Sequence, residues 1–224
     1  MRDDLTERPR NPRPFGLLLW TVLVTLGAAI GLALPVAAFV ASNRLDMPAW
    51  VIYPTIALAG ALQGLVLGVA QALSLHRTVI AVPRAGWALI TMAGALVAWA
   101  LGMLPATFAA LDEPLDLTER PLLWGAVAGA VLLVLIVPLA QWLLLRRVLP
   151  GAWMWVVVEA VAIVVALATV WGMSLAIDTK RPLADLGPTL AGGAGAVALA
   201  FALITGFGLM MMAPRRQATP LSTR

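Results

Sequence analysis

The sequence predicts an all-α integral membrane protein: six transmembrane helices, laid out as three tandem hairpins with rough pseudo-threefold symmetry. Three observations carry that expectation. Of 224 residues, 62% are hydrophobic and 12% charged, whereas a soluble domain has about 45–50% and about 25%. The apolar residues gather into six runs, each long enough to cross about 30 Å of hydrocarbon as a helix of about 20 residues. One pattern of punctuation recurs three times: proline, span, acid and proline, span, basic residues. The sparse charge argues against a nucleic-acid partner, and a chain without cysteine is no disulfide scaffold.

The spans are expected at 15–41, 50–75, 87–111, 122–145, 153–177 and 189–212. They lack the period-two alternation of barrel strands, so the backbone must satisfy itself within helices. The first has basic residues ahead of it and a small-residue Val36-Ala37-Ala38 stretch, as a signal peptide would. Its apolar run far exceeds the roughly 7–15 residues of such a segment, and it reads as a retained span. Cations set the direction. With the N-terminus cytoplasmic, the inner segments hold Arg2, Arg8, Arg10, Arg13, Arg77, Arg84, Arg146, Arg147, Arg215, Arg216 and Arg224, and the outer loops only Arg44, Arg120, Lys180 and Arg181. Both termini are therefore expected in the cytoplasm. Trp87, Trp142, Trp153 and Trp155 fall near inner boundaries and Trp50 and Trp124 near outer ones, where amphipathic rings prefer to sit.

The punctuation divides the chain into an N-terminal tail 1–13, hairpins 14–82, 83–149 and 150–216, and a C-terminal tail 217–224. Pro14, Pro83 and Pro150 precede the outward spans; Asp46-Met47-Pro48, Glu119-Arg120-Pro121 and Asp185-Leu186-Gly187-Pro188 introduce the return spans. Proline suits a first helical turn, where its missing N–H has no partner anyway. An acid there meets the positive end of the helix dipole, and His76-Arg77, Arg146-Arg147 and Arg215-Arg216 meet the negative end. Ala70-Gln71-x-Leu73-x-Leu75-x-Arg77 recurs as Ala140-Gln141-x-Leu143-x-Leu145-x-Arg147, which favours duplication over convergence on common caps. Two spans per unit give successive copies the same membrane orientation, with the first and sixth spans adjacent. The Gln141-Trp142-Leu143-Leu144-Leu145-Arg146-Arg147 form of the motif resembles a repeated segment in uncharacterised bacterial polytopic membrane proteins. The resemblance covers units one and two; in unit three Met210 stands where glutamine would, and no activity is implied.

In lipid, helices join through small residues and polar contacts. Gly60, Gly64, Gly68 and Ala72 form a strip on the second span, and Gly27/Gly31 and Gly125/Gly129 repeat its four-residue spacing. Pro35, Pro105 and Pro138 fall within spans, Pro138 most centrally. Glu159 is the only acid inside a span, and an intramembrane acid is a functional candidate by default. Gln71 and Gln141 each lie six residues before Arg77 and Arg147, and Glu159 six after Trp153, so the three form a polar layer on the cytoplasmic side. Counting from the leading proline, Glu159 matches Met92 and Leu23, so the hairpin itself does not require the acid. Either the layer is structural, with Glu159 paired to Arg146 or Arg147, or it lines a pocket, or Glu159 faces lipid and snorkels to the headgroups. Gln63 is expected to donate an interhelical hydrogen bond, and His76 to anchor at the boundary. The acidic loop 112–119 reads as a solvated segment.

One histidine, no cysteine and one intramembrane acid make no metal site, and no hydrolase elbow, zinc-protease or P-loop motif occurs. No catalytic residue and no cofactor is expected. Two function classes stay open: an assembly, scaffold or accessory membrane subunit, slightly favoured, or a small-solute transporter or solute-binding component with a cytoplasm-facing polar pocket. The partners are the lipid bilayer, with other membrane proteins or a second copy beside it. The arginine-rich, alanine- and leucine-rich composition points to a bacterial inner membrane. A sealed layer at Gln71, Gln141 and Glu159 favours structure; an open cavity there favours a solute.

Overall fold

The computed structural model describes residues 15–76, 78, 80–113, 115–176 and 183–213; the tails 1–13 and 217–224, and Arg77, Lys180, Arg181, Arg215 and Arg216, lie outside them. Six helices follow in order: α1 Leu17–Arg44, α2 Ala49–Leu75, α3 Arg84–Ala110, α4 Arg120–Leu145, α5 Trp153–Ala176 and α6 Leu183–Met212. Each is long and apolar enough to cross a membrane, and the chain is a multi-pass membrane protein. Every helix packs against its neighbours in the chain, and α6 closes the circle against α1, giving a ring of six.

The start of α1, the end of α6 and the turns 76–83 and 146–152 meet at one end, because Trp20, Leu75, Trp87, Leu145, Trp155 and Leu209 share one core cluster. We call this the arginine end, after Arg84, Arg146 and Arg147. The turns help to close it: Ile80, Val82, Leu149 and Ala152 are buried in the same cluster. Gly151 takes φ +72° in the second turn, a conformation an L side chain resists. At the opposite end α1 and α3 stop alike. Asp46 (φ 48°) and Asp112 (φ 58°) are left-handed, and the next amides bond back to Ser42 O (3.0 Å) and Phe108 O (3.0 Å). This closure satisfies carbonyls that the helix end leaves without partners.

Proline is used less uniformly than its spacing implied. Pro48 and Pro83 are N-caps and Pro121 lies in the first turn. Pro188 instead sits inside α6, which begins at Leu183 rather than at 189. As the sixth residue of α6, Pro188 has no N–H to offer the Ala184 carbonyl four residues back, so the helix gives up one ladder bond there.

Small residues set the tightest contacts. A Cβ added at Gly64 would lie 2.8 Å from Thr91 O, and one at Gly68 2.9 Å from Ala88 Cα, so the strip on α2 admits α3 at backbone contact. Gly60 faces the Trp99 ring on the same seam. Gly27 and Gly31 receive α2 at Ala70 and Gln63. The same spacing at Gly125 and Gly129 does not act as a packing strip: nothing lies within 4 Å of an added Cβ at either. Residues 121–128 of α4 are exposed, so this half of the helix has no neighbour for a glycine to admit.

Candidate functional site

The polar side chains of the arginine end assemble around three tryptophans. Trp20 of α1, Trp87 of α3 and Trp155 of α5 are each 0% exposed. Near the arginine end, they point inward from the three odd-numbered helices. Trp155 stands edge-on to Trp20, with centroids 6.2 Å apart at 88°, and tilted to Trp87 at 6.1 Å and 57°. These are the offset geometries that aromatic quadrupoles favour. Trp87 and Trp155, expected near the interface, are thus core residues, whereas Trp50, Trp124 and Trp153 are exposed as interfacial rings should be.

An indole N–H buried in hydrocarbon needs an acceptor, and each finds one on the even-numbered helix beside it. Trp87 Nε1 donates to Gln71 Oε1 of α2 (2.9 Å), and Trp155 Nε1 to Gln141 Oε1 of α4 (2.9 Å). Trp20 Nε1 donates to Ala202 O (3.0 Å) and Thr205 Oγ1 (3.1 Å) of α6. In unit three the acceptor is therefore Thr205, while Met210, which the motif aligns with the glutamines, is exposed. The acceptors share one local frame: Gln71, Gln141 and Thr205 each precede by four residues a fully buried leucine, Leu75, Leu145 and Leu209.

The glutamines are also joined to each other. Gln141 Nε2 donates to Gln71 Oε1 (3.0 Å) and to Thr91 Oγ1 (2.8 Å), and Thr91 donates to Trp87 O (2.8 Å). Gln71 Oε1 thus accepts from both Trp87 and Gln141, which fixes its amide orientation, because a flipped amide would oppose donor to donor. Gln71 and Gln141 are 0% exposed, Thr91 and Glu159 1%. The layer is sealed. Two of its atoms stay without a hydrogen-bond partner: Gln71 Nε2 and Glu159 Oε2.

The expected pairing of Glu159 with Arg146 or Arg147 does not form. The Trp155 indole, one turn earlier on α5, gives its N–H to Gln141 Oε1 (2.9 Å), and Glu159 Oε2 has no hydrogen-bond partner. Both arginines are exposed, and Arg146 lies over the Trp142 ring, 5.0 Å from its centroid. The physical reason is directional: Glu159 turns into the ring with Trp155, while charged guanidinium groups stay at the rim, where water reaches them. Counted from the buried indole rather than from the proline, the step that holds Glu159 holds Thr91 and Val24 on α3 and α1, all buried. Aligned from the proline instead, Glu159 falls one residue out of register, at Met92 and Leu23.

Gln63 does make an interhelical bond, as acceptor rather than donor: Trp99 Nε1 donates to its Oε1 (2.9 Å). His76 is exposed at the boundary, with Nε2 2.6 Å from the Arg84 guanidinium. In the acidic loop, Asp116 Oδ1 accepts from the Thr118 hydroxyl (2.7 Å) and amide (2.9 Å). These two bonds, the hydroxyl first, hold the exposed carboxyl below its ordinary range. Among the described residues, no three His, Cys, Asp or Glu side chains come together as a metal site.

The indoles of the layer and Thr205 were missed in the sequence because neither stands out by type. The available signal was a spacing: Trp20, Trp87 and Trp155 are each followed seven residues later by Gly27, Gly94 and Ala162, all buried. No family model, curated protein or solved structure matches the chain.

Proposed function

We propose that the chain is an assembly or accessory subunit of a bacterial inner membrane, without enzymatic activity, built of three duplicated hairpins and holding both termini in the cytoplasm. One observation carries the reading: the layer at Gln71, Gln141 and Glu159 is closed, all three side chains buried and the two glutamines bonded to each other, to Thr91 and to the Trp87 and Trp155 indoles. A carrier exposes its site to one face and then the other, with polar groups lining a cavity between moving bundles. Here Ile80, Val82 and Leu149 plug the arginine end beneath the layer. The bonds run between helices α2, α3, α4 and α5 and fasten the ring at its arginine end. A rigid ring with long exposed apolar faces is suited to standing beside other membrane proteins.

The natural absence of cysteine makes the test direct. Single cysteines are placed at Gln71, Glu159, Arg146 and Asp116 of the full chain and probed in intact cells and inverted vesicles with a membrane-impermeant thiol reagent. Cysteines at 71 and 159 are expected to stay unlabelled from both sides, 146 to label only from the cytoplasm and 116 only from outside. Labelling of position 71 or 159 that rises when the membrane is energised or a solute is added overturns the structural reading in favour of transport. Labelling of 146 from outside overturns the orientation.

A further inference from the structure

The seam between α4 and α5 is built differently from the others. Between Trp153 and Trp171, α5 has no glycine, and its outward face presents β-branched valines, which hold the two helices apart. Leu135 of α4 and Val156, Ala160, Val161 and Val164 of α5 wall an outward-facing trough of about 380 Å³ with aliphatic side chains alone. From Val156 to Val164 the helix climbs about 12 Å at 1.5 Å per residue. That is most of the hydrocarbon depth of one leaflet, about 15 Å. At the mouth of the trough, in the turn leading into α5, Arg146 and Arg147 are both exposed, and among the described residues neither meets a carboxylate. The Trp142 ring beneath Arg146 holds that guanidinium at the boundary.

We infer that the trough and the arginine pair together form a binding site for an anionic phospholipid of the leaflet on the arginine side. One acyl chain lies along the valines, and the headgroup phosphate sits against Arg146 and Arg147. The charges select this occupant over a second copy of the chain. Two parallel copies joined at the seam would bring their own arginine pairs to the same level, like charge against like, whereas an anionic headgroup neutralises them. The inference stands apart from the role proposed for the sealed layer, since the trough faces outward.

The full chain is purified in mild detergent, mixed with equimolar phosphatidylglycerol and phosphatidylcholine of identical acyl chains, and read by native mass spectrometry. The wild type is expected to retain phosphatidylglycerol about tenfold or more over phosphatidylcholine, the order expected of two arginines facing an anionic headgroup. Arg146→Gln combined with Arg147→Gln is expected to abolish the preference. Ala160→Trp, which fills the trough, is expected to reduce retention of both lipids. The arginine variant alters only exposed side chains, so it decides the matter even if Ala160→Trp fails to fold. Equal retention of the two lipids by the wild type, or an unchanged preference in the double variant, overturns the site. A dimer that added phosphatidylglycerol does not dissociate, and that Ala160→Trp disrupts, overturns it in favour of a second copy.

Discussion

Gln141→Leu removes the side chain that joins α4 to three other elements of the layer. It deletes the bonds from Gln141 Nε2 to Gln71 Oε1 and Thr91 Oγ1 and leaves the Trp155 indole without its Gln141 acceptor. Leucine nearly matches glutamine in volume, so packing changes little. Interhelical hydrogen bonds in membranes average about 0.6 kcal/mol; three of them amount to about 2 kcal/mol. Gln71 Oε1 keeps Trp87, and Thr91 keeps its bond to Trp87 O, so only the indole loses a main partner. The expected loss is therefore about 2 kcal/mol, measured by reversible unfolding in mixed micelles of increasing denaturing-detergent fraction. Gln63→Leu, which strands the single indole of Trp99, is the control and should cost about 1 kcal/mol or less. A double-mutant cycle of Gln141→Leu with Trp155→Phe isolates the indole bond, with a coupling of about 0.6–1.7 kcal/mol. A cost for Gln141→Leu no greater than that for Gln63→Leu, together with zero coupling to Trp155, would refute the layer as the fastening of the ring.

Further outcomes follow from the same structure. Gly64→Ala should lose about 1–3 kcal/mol in the same unfolding assay, because its Cβ meets the α3 backbone, while Gly129→Ala should stay within about 0.5 kcal/mol of wild type. Glu159→Met should be as stable as wild type or more so, by about 1–3 kcal/mol, because a buried oxygen without a partner disappears while Trp155 keeps Gln141. Asp112→Val should be about 1–2 kcal/mol less stable than Asp112→Gly, since a β-branched residue resists the left-handed φ of 58°. Asp116 should titrate by NMR below the ordinary 3.8, and Thr118→Val should move it back upward by removing the hydroxyl bond. A carboxyl held low in the fold stabilises it above the ordinary value, and that contribution fades as pH falls through the lowered one.

The helices were legible because hydrocarbon demands long apolar runs, and nothing else in the chain imitates them. The boundary furthest from its expected place was one read from a proline alone: α6 runs back through Pro188 to Leu183, and gives up only the bond from position 188 to the Ala184 carbonyl to do so. Small-residue strips were legible only in part. Gly64 and Gly129 sit in sequence patterns of the same kind, yet one meets the backbone of α3 and the other meets nothing. A glycine permits close approach but does not summon a neighbour. Whether one arrives depends on the facing helix: Ala88 and Ala95 of α3 come up against the strip on α2, whereas no atom comes within 4 Å of an added Cβ at Gly129.

The layer shows the same limit from another side. Gln71, Gln141 and Glu159 were visible because a polar residue inside an apolar run is rare, and all three are buried at one end of the ring. What bonds them was hidden, because tryptophan reads as an interfacial anchor in any membrane sequence and threonine is unremarkable in a helix. The indoles, not the prolines, are the landmark that brings these partners into line. The leading prolines stand six, four and five residues ahead of Trp20, Trp87 and Trp155, because loops tolerate changes of length. The indoles cannot drift in this way. Each must deliver its N–H to an acceptor on the adjacent helix, at Thr205, Gln71 and Gln141, within 3.1 Å. In a membrane, where an unpaired donor has no water to turn to, the buried hydrogen bond sets the register and the loop follows it.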